Sequence, residues 1–306
     1  MTYTPDLSAT PNLSAAKLRD QLELYRRMWV LRLLDMALEE SRIDGLCAAP
    51  VEAAFGQEAA AVGTAAAVRP GDVVSTTIPH FRHAQQVGLA LPLGPAIAEM
   101  IGGSLGKFGA GAARRESSSV PAWKGAISSF SGAVDQSTMF ALGDAHTQQR
   151  AGQGKVALCV IDDRDANSAE FTAAVNTAVS WRLPVVFVVA NVRPAAGERG
   201  MPVLAVDGND VEAVRDSVSE AVRRASDGEG PILVRLDTCR RNDASGVDPL
   251  VVARQQLIGA GVDVSRLYEV ERGARRLVAE AEAIAKEMLR AAEPTSVERP
   301  EACSAG

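Results

Sequence analysis

Apolar residues follow two rhythms along this chain. From Ser14 to Asp44 they recur at helical spacing through Leu18, Leu22, Tyr25, Met28, Leu31 and Leu38, and Gly45 ends the run. Gln57 to Val68 reads as an alanine-rich helix stopped by Pro70-Gly71, and Pro92 to Ile101 as a short helix before Gly102-Gly103. Other apolar stretches are short and unbroken, as in strands buried on both faces: VVSTT, VALCVI (156–161), VVFVVA after Pro184, and PILVRLD (231–237). Between the second and third of these, Phe171, Val175, Ala178 and Val179 return to helical spacing. Residues 155–192 therefore spell strand, turn, helix, strand, the βαβ unit of a parallel sheet. Further on, Val211, Val214, Val218 and Val222 mark the buried face of a helix capped by Asn209 or Asp210. Asp248-Pro249 open another helix, and residues 266–292 form a long amphipathic one.

These elements predict an α/β fold, a mostly parallel sheet flanked by helices on both faces, with extra N- and C-terminal helices. The expected organisation is a flexible arm over 1–13, a single α/β domain over 14–292 and a disordered tail over 293–306. Residues 104–122, rich in Gly, Ser and Arg, and 193–202, rich in Pro and Gly, read as loops.

Composition narrows the function. At 306 residues and 47% hydrophobic, the chain has ample core for one large domain. A net charge of −6 argues against a nucleic-acid surface. No apolar run reaches the length of a membrane span, and the N-terminus has neither the basic region nor the apolar core of a secretory signal. The four cysteines (47, 159, 239, 303) are widely spaced and read as reduced thiols. The expectation is a cytoplasmic protein.

The candidate chemistry lies at the end of VALCVI. Asp162, Asp163, Arg164 and Asp165 sit where the βαβ unit places ligands, beyond the carboxyl end of a strand. Read from the residues, the aspartates cap and charge-complement a helix over 167–181; a metal site and a reorganised cofactor site are the alternatives. His80 and His83 are three apart after a strand-like segment, either a metal pair or polar loop residues. VDGND (206–210) is read as a turn with a helix cap, since the remaining ligands of a calcium loop are missing.

Four segments in order carry a resemblance: LYRRM (24–28), FGQEAAAVGTAAAVRPGD (55–72), the 155–192 unit with Asn176, Trp181, Leu183, Pro184 and Phe187, and VDGND followed by the run ending in GEGPILV. Together they resemble the alpha subunit of thiamin diphosphate-dependent 2-oxo acid dehydrogenases of the pyruvate, branched-chain and acetoin types. The resemblance implies thiamin diphosphate and Mg2+ as cofactors and a beta-subunit-like partner in an α2β2 heterotetramer. By position it implies a cofactor site of Gly132, Asp163, Arg164, Asn191 and Arg240, with Asp163 as metal ligand and His80 as a catalytic residue. It leaves Gln57 and Glu58 near a subunit interface, with an exposed helix glutamate as the other reading.

The chain departs from the family where the coenzyme is held. The family's Gly-Asp-Gly stands as Asp162-Asp163-Arg164, and the second Asn of its Asn-Asn pair is Val192, which offers no oxygen to Mg2+. Aligned without gaps, its Tyr-Arg pair falls on Ile78-Pro79 and its His on Phe81; a one-residue insertion moves the His to His80. Two further His positions fall in 111–115 and on Ala244, and the chain holds three His in all. Two functions follow. The chain is an alpha-like component, non-catalytic alone and acting with a beta-like partner. Or it is an active thiamin diphosphate-dependent 2-oxo acid decarboxylase or acyl-transferring subunit, with Arg164 and Arg240 replacing the metal-bridged grip.

Overall fold

The apolar runs become the centre of one parallel sheet. The computed structural model describes residues 15–43, 55–78, 81, 84, 87, 127–130, 134–190, 200–238 and 247–291. The 1–13 arm, the 104–122 loop and the 293–306 tail lie outside the described residues, as does the 92–101 helix. Among the described residues, six strands pair in parallel throughout: β1 (Val73–Thr76), β2 (Ile127–Phe130), β3 (Ala157–Asp162), β4 (Val185–Ala190), β5 (Val203–Asp207) and β6 (Ile232–Asp237). Their order across the sheet is β2-β1-β3-β4-β6-β5.

The central strands have no solvent face. Along β3, Leu158 and Val160 join one core cluster, while Ala157, Cys159 and Ile161 join the other. Every residue of β4 is buried. This explains why β3 and β4 read as continuous apolar runs rather than alternating ones. The first cluster is closed by α1 (Ala15–Ile43), α2 (Glu58–Ala67), α6 (Val211–Ser226) and α7 (Pro249–Gly259). The second is closed by α3 (Val134–Ala151) and α5 (Ala169–Trp181). Helices thus cover both faces, as the sequence pattern implies. α8 (Val264–Ala291) packs its Ala274, Val278, Ala281 and Ala285 against Val30, Leu34 and Leu38 of α1.

Two strands are not evident from the sequence. β2 is four residues long, and β5 is half-exposed along most of its length. Both are sheet edges, where one side of the strand has no strand beside it in the sheet order. The segment VLAVD carries an apolar run of four residues, and its Val206 and Asp207 are also the first two residues of VDGND.

Buried polar ties fix the helical layer. Glu58 has no exposed surface, and its carboxylate accepts from Arg32 Nε at 2.7 Å and from the Gly56 N–H at 3.0 Å. Arg32 Nη1 also reaches Asp248 at 2.6 Å, and Asp248 caps α7 through the Leu250 N–H. α1, α2 and α7 are therefore joined through one guanidinium. The reading of Glu58 as an exposed helix residue is overturned: its partner on α1 is far away in sequence, so the short alanine-rich α2 gives no local sign of it. A second tie joins α1 to α8 and α7, with the Tyr25 hydroxyl donating to Glu271 at 2.7 Å and Arg254 donating to the same oxygen at 3.0 Å.

Asp72 performs the same work at the start of the sheet. Fully buried, it accepts from the Arg69 side chain at 2.8 Å and from the Val156 N–H at 3.0 Å. It thereby ties the end of α2 to the beginnings of β1 and β3, and so sets the register in which their carboxyl ends meet.

Candidate functional site

The strand order places a crevice. From β1 the chain moves outward to β2 on one side, and from β3 outward to β4 on the other. The direction of winding reverses between β1 and β3, and open parallel sheets bind ligands beyond the carboxyl ends of the strands at such a point.

The residues at this crevice come from the end of β1 and the turn after β3. The Thr77 N–H donates to the Val160 carbonyl at 3.3 Å, which holds Thr77 beside the last turn of β3. Asp162 ends β3 in extended conformation and caps a single helical turn, α4 (Asp163–Ala166), its carboxylate accepting from the Arg164 N–H at 3.2 Å. The Arg164 guanidinium lies 3.7 Å from the same carboxylate with its side chain 76% exposed. Asp165 turns back toward β1, and its carboxylate accepts from the Thr77 hydroxyl at 3.2 Å. Burial raises the Asp165 carboxyl above its ordinary range; the Thr77 hydrogen bond opposes this, and the charge of Asp162 adds to it.

The expected capping role is divided differently. Asp162 caps α4 alone, and α5 begins two residues later than expected, with Ser168 as its cap through the Phe171 N–H at 3.0 Å. The aspartates do not cap the 167–181 helix as expected. The intervening turn uses up residues 163–166, so the serine closest to the apolar face takes the cap. Replacing Ser168 with Ala is expected to cost about 1 kcal/mol of stability. Urea denaturation monitored by circular dichroism measures this.

The structure brings together Asp162, Arg164 and Asp165 with Thr77, which sequence reasoning missed. Its signal was slight: two threonines at the end of an apolar strand. The main chain of Asp163 begins α4, while its side chain lies outside the described residues. His80, Gly132, Asn191 and Arg240 also lie outside the described residues. Asp162 pairs in register with Ala190, so position 191 follows immediately beyond β4. Two positions aligned with the family's cofactor contacts belong to the core instead. Ile78 and Phe81 are both buried in the cluster that α1 and α2 close.

The remaining candidates among the described residues resolve into structure, while His83, Cys47, Cys239 and Cys303 lie outside them. Asp207 accepts from the Asn209 N–H at 2.9 Å and side-chain amide at 3.0 Å, and Asp210 caps α6 through the N–H groups of Glu212 and Ala213. VDGND is a turn with a helix cap. Its glycine is required by contact: a Cβ on Gly208 would run into Thr238 and stand 3.2 Å from the Asp237 carbonyl oxygen. Cys159 is fully buried, and burial pushes its thiol up to about 12, which removes it as a nucleophile near neutral pH. His146 packs its ring 5.8 Å from that of Trp181, between α3 and α5.

Of the residues that the resemblance assigns to a metal-bridged diphosphate, Arg164 alone has a described side chain. The Arg164 N–H, in the turn after β3, is taken by the Asp162 carboxylate, and a second carboxylate closes on Thr77. Like charge repels an anionic ligand at such a position. Among the described residues, no three His, Cys, Asp or Glu side chains are grouped to hold a metal ion.

A parallel α/β sheet with its crevice at the β1–β3 reversal defines a broad class of ligand-binding domains. Comparison with known proteins specifies it. The model of the dehydrogenase E1 component family matches residues 22–199 and 192–259. The chain is 30% identical over 313 residues to the pyruvate dehydrogenase E1 component subunit alpha of Zymomonas mobilis, covering 90% of this chain and 87% of that protein. It is 28% identical over 249 residues to the subunit of the same name from Rhizobium meliloti, covering 75% and 70%. It is 29% identical over 237 residues to the alpha subunit of the acetoin:2,6-dichlorophenolindophenol oxidoreductase of Bacillus subtilis, covering 72% and 69%. The chain belongs to the dehydrogenase E1 component family, which includes the alpha subunits of pyruvate dehydrogenases. Among the described residues, no helix is long and apolar enough to cross a membrane.

Proposed function

We propose that this chain is an alpha-subunit-like component of a 2-oxo acid dehydrogenase or decarboxylase-type assembly, non-catalytic alone and acting with a beta-like partner in a cytoplasmic α2β2 heterotetramer. Similarity to alpha subunits of pyruvate and acetoin enzymes supports the first part. The second part rests on one observation: the carboxylate of Asp162 occupies the N–H of Arg164 at the ligand end of β3. The proposal takes residues 14–292 as one working unit. It treats Gly132, Asp163, Arg164, Asn191 and Arg240 as a remnant of the coenzyme site and His80 as a remnant catalytic position.

Co-expression with a beta-type subunit tests it. The expected result is a stable complex of heterotetrameric mass by light scattering, and no 2-oxo acid turnover by this chain alone. A chain that stays unassociated, or that turns over a 2-oxo acid unaided, overturns the proposal.

The exposure of Arg164 favours one second reading, an active subunit that grips the diphosphate with arginine rather than metal. On that reading the coenzyme supplies carbanion stabilisation, and the chain supplies position and charge. Arg164→Ala is then expected to abolish turnover of the assembled complex, whereas unchanged turnover removes this reading.

A further inference from the structure

We infer that the chain seals its own β1–β3 crevice, with Asp162 and Asp165 standing where an anionic phosphate or diphosphate ligand would be held. The inference rests on the proposed function and adds to it which residues exclude the ligand.

Two independent contacts make the seal. The Asp162 carboxylate takes the Arg164 N–H at 3.2 Å, so a main-chain donor at the end of β3 already serves an internal anion. The Asp165 carboxylate crosses from the β3 side to Thr77 on the β1 side at 3.2 Å, joining the two strands whose ends form the crevice walls. Thr77 is itself fixed through the Val160 carbonyl, so the link joins two anchored segments. An incoming phosphate would have to displace one carboxylate from its donor, break the link to Thr77, and lie beside both negative charges. Each requirement opposes binding, and the charge requirement is specific to anions. Arg164 does not reverse the balance: it is one cation among these carboxylates and lies 3.7 Å from Asp162.

The test uses the full chain, MgCl2 and inorganic pyrophosphate in isothermal titration. Wild type is compared with Asp162→Gly/Asp165→Ala and with Asp165→Ala alone. The glycine removes the carboxylate that occupies the N–H, and the alanine removes both the charge and the link. The expected result is no saturable binding by wild type, and at least about tenfold tighter binding by the double variant, with a smaller gain for the single one. Thermal melts confirm that each variant is folded; if the double variant is not, saturable binding by Asp165→Ala that wild type lacks supports the seal, and its absence overturns the seal. Folded variants as silent as wild type overturn the seal while leaving the proposed function standing. Wild type that binds pyrophosphate as tightly as the variants overturns the seal and also removes the observation behind the proposed function.

Discussion

Arg32→Ala is expected to lower the stability of this chain by about 3–5 kcal/mol, the typical cost of leaving one member of a buried ion pair without its partner. Glu58 has no exposed surface and depends on Arg32 Nε at 2.7 Å, with the Gly56 N–H as its other donor. Asp248 loses the same guanidinium. Burial already raises the Glu58 carboxyl above its ordinary range, and Arg32 pulls it back. Without Arg32 that opposing pull is lost and the carboxyl rises further. A carboxyl raised on folding costs least below its unfolded pKa, and its cost grows as pH rises through the folded pKa. The deficit of Arg32→Ala is therefore expected to be larger at pH 8 than at pH 5. Arg32→Leu/Glu58→Leu, which removes both charges, is expected to lie closer to wild type than the single variant. Urea denaturation of the three proteins at both pH values measures this. Equal stability of Arg32→Ala and wild type at pH 8 would contradict the assigned burial of Glu58.

Gly63→Leu is expected to be comparably severe, at about 3 kcal/mol or more, the upper end of overpacking costs. A Cβ at Gly63 would stand 2.8 Å from the Val211 carbonyl oxygen and 2.8 Å from the Val214 side chain. The first of these is the backbone where α6 begins, so a rotamer change cannot relieve it. α2 and α6 meet closely where Gly63, with no side chain, faces Val211 and Val214. Gly143→Ala provides the contrast. Gly143 lies within α3 with nothing within 4 Å of an added Cβ, so alanine there is expected to gain up to about 1 kcal/mol in helix propensity. Opposite signs at the two glycines, read from melting temperatures, separate close packing from any general effect of glycine.

The sequence revealed elements that are buried on both sides and concealed those that depend on distant partners. β3 and β4 were evident because every residue along them but Asp162, the last of β3, is buried. The face of α6 was evident because Val211, Val214, Val218 and Val222 keep helical spacing and all four are buried. β5 was not, because none of its residues is buried and its last two, Val206 and Asp207, read as the start of the VDGND turn. Within DDRDANS every residue but Arg164 and Ala166 is a capable helix cap, so local chemistry could not choose Ser168. The candidate site divides the same way. Asp162 and Arg164 were identified because both lie in one segment beyond a strand. Thr77 was missed because its contact with Asp165 spans 88 positions and exists only once β1 and β3 are adjacent.

We propose that the floor of this crevice, acidic and already bonded to itself, does not hold a pyrophosphate coenzyme. Isothermal titration of thiamin diphosphate with Mg2+ into the chain assembled with a beta-type partner tests it most directly. The expected result is no binding tighter than about 1 mM at the alpha-side crevice, a free energy weaker than about −4 kcal/mol. Saturable binding near 1 μM that is lost when Asp163 is changed to Ala would contradict the claim.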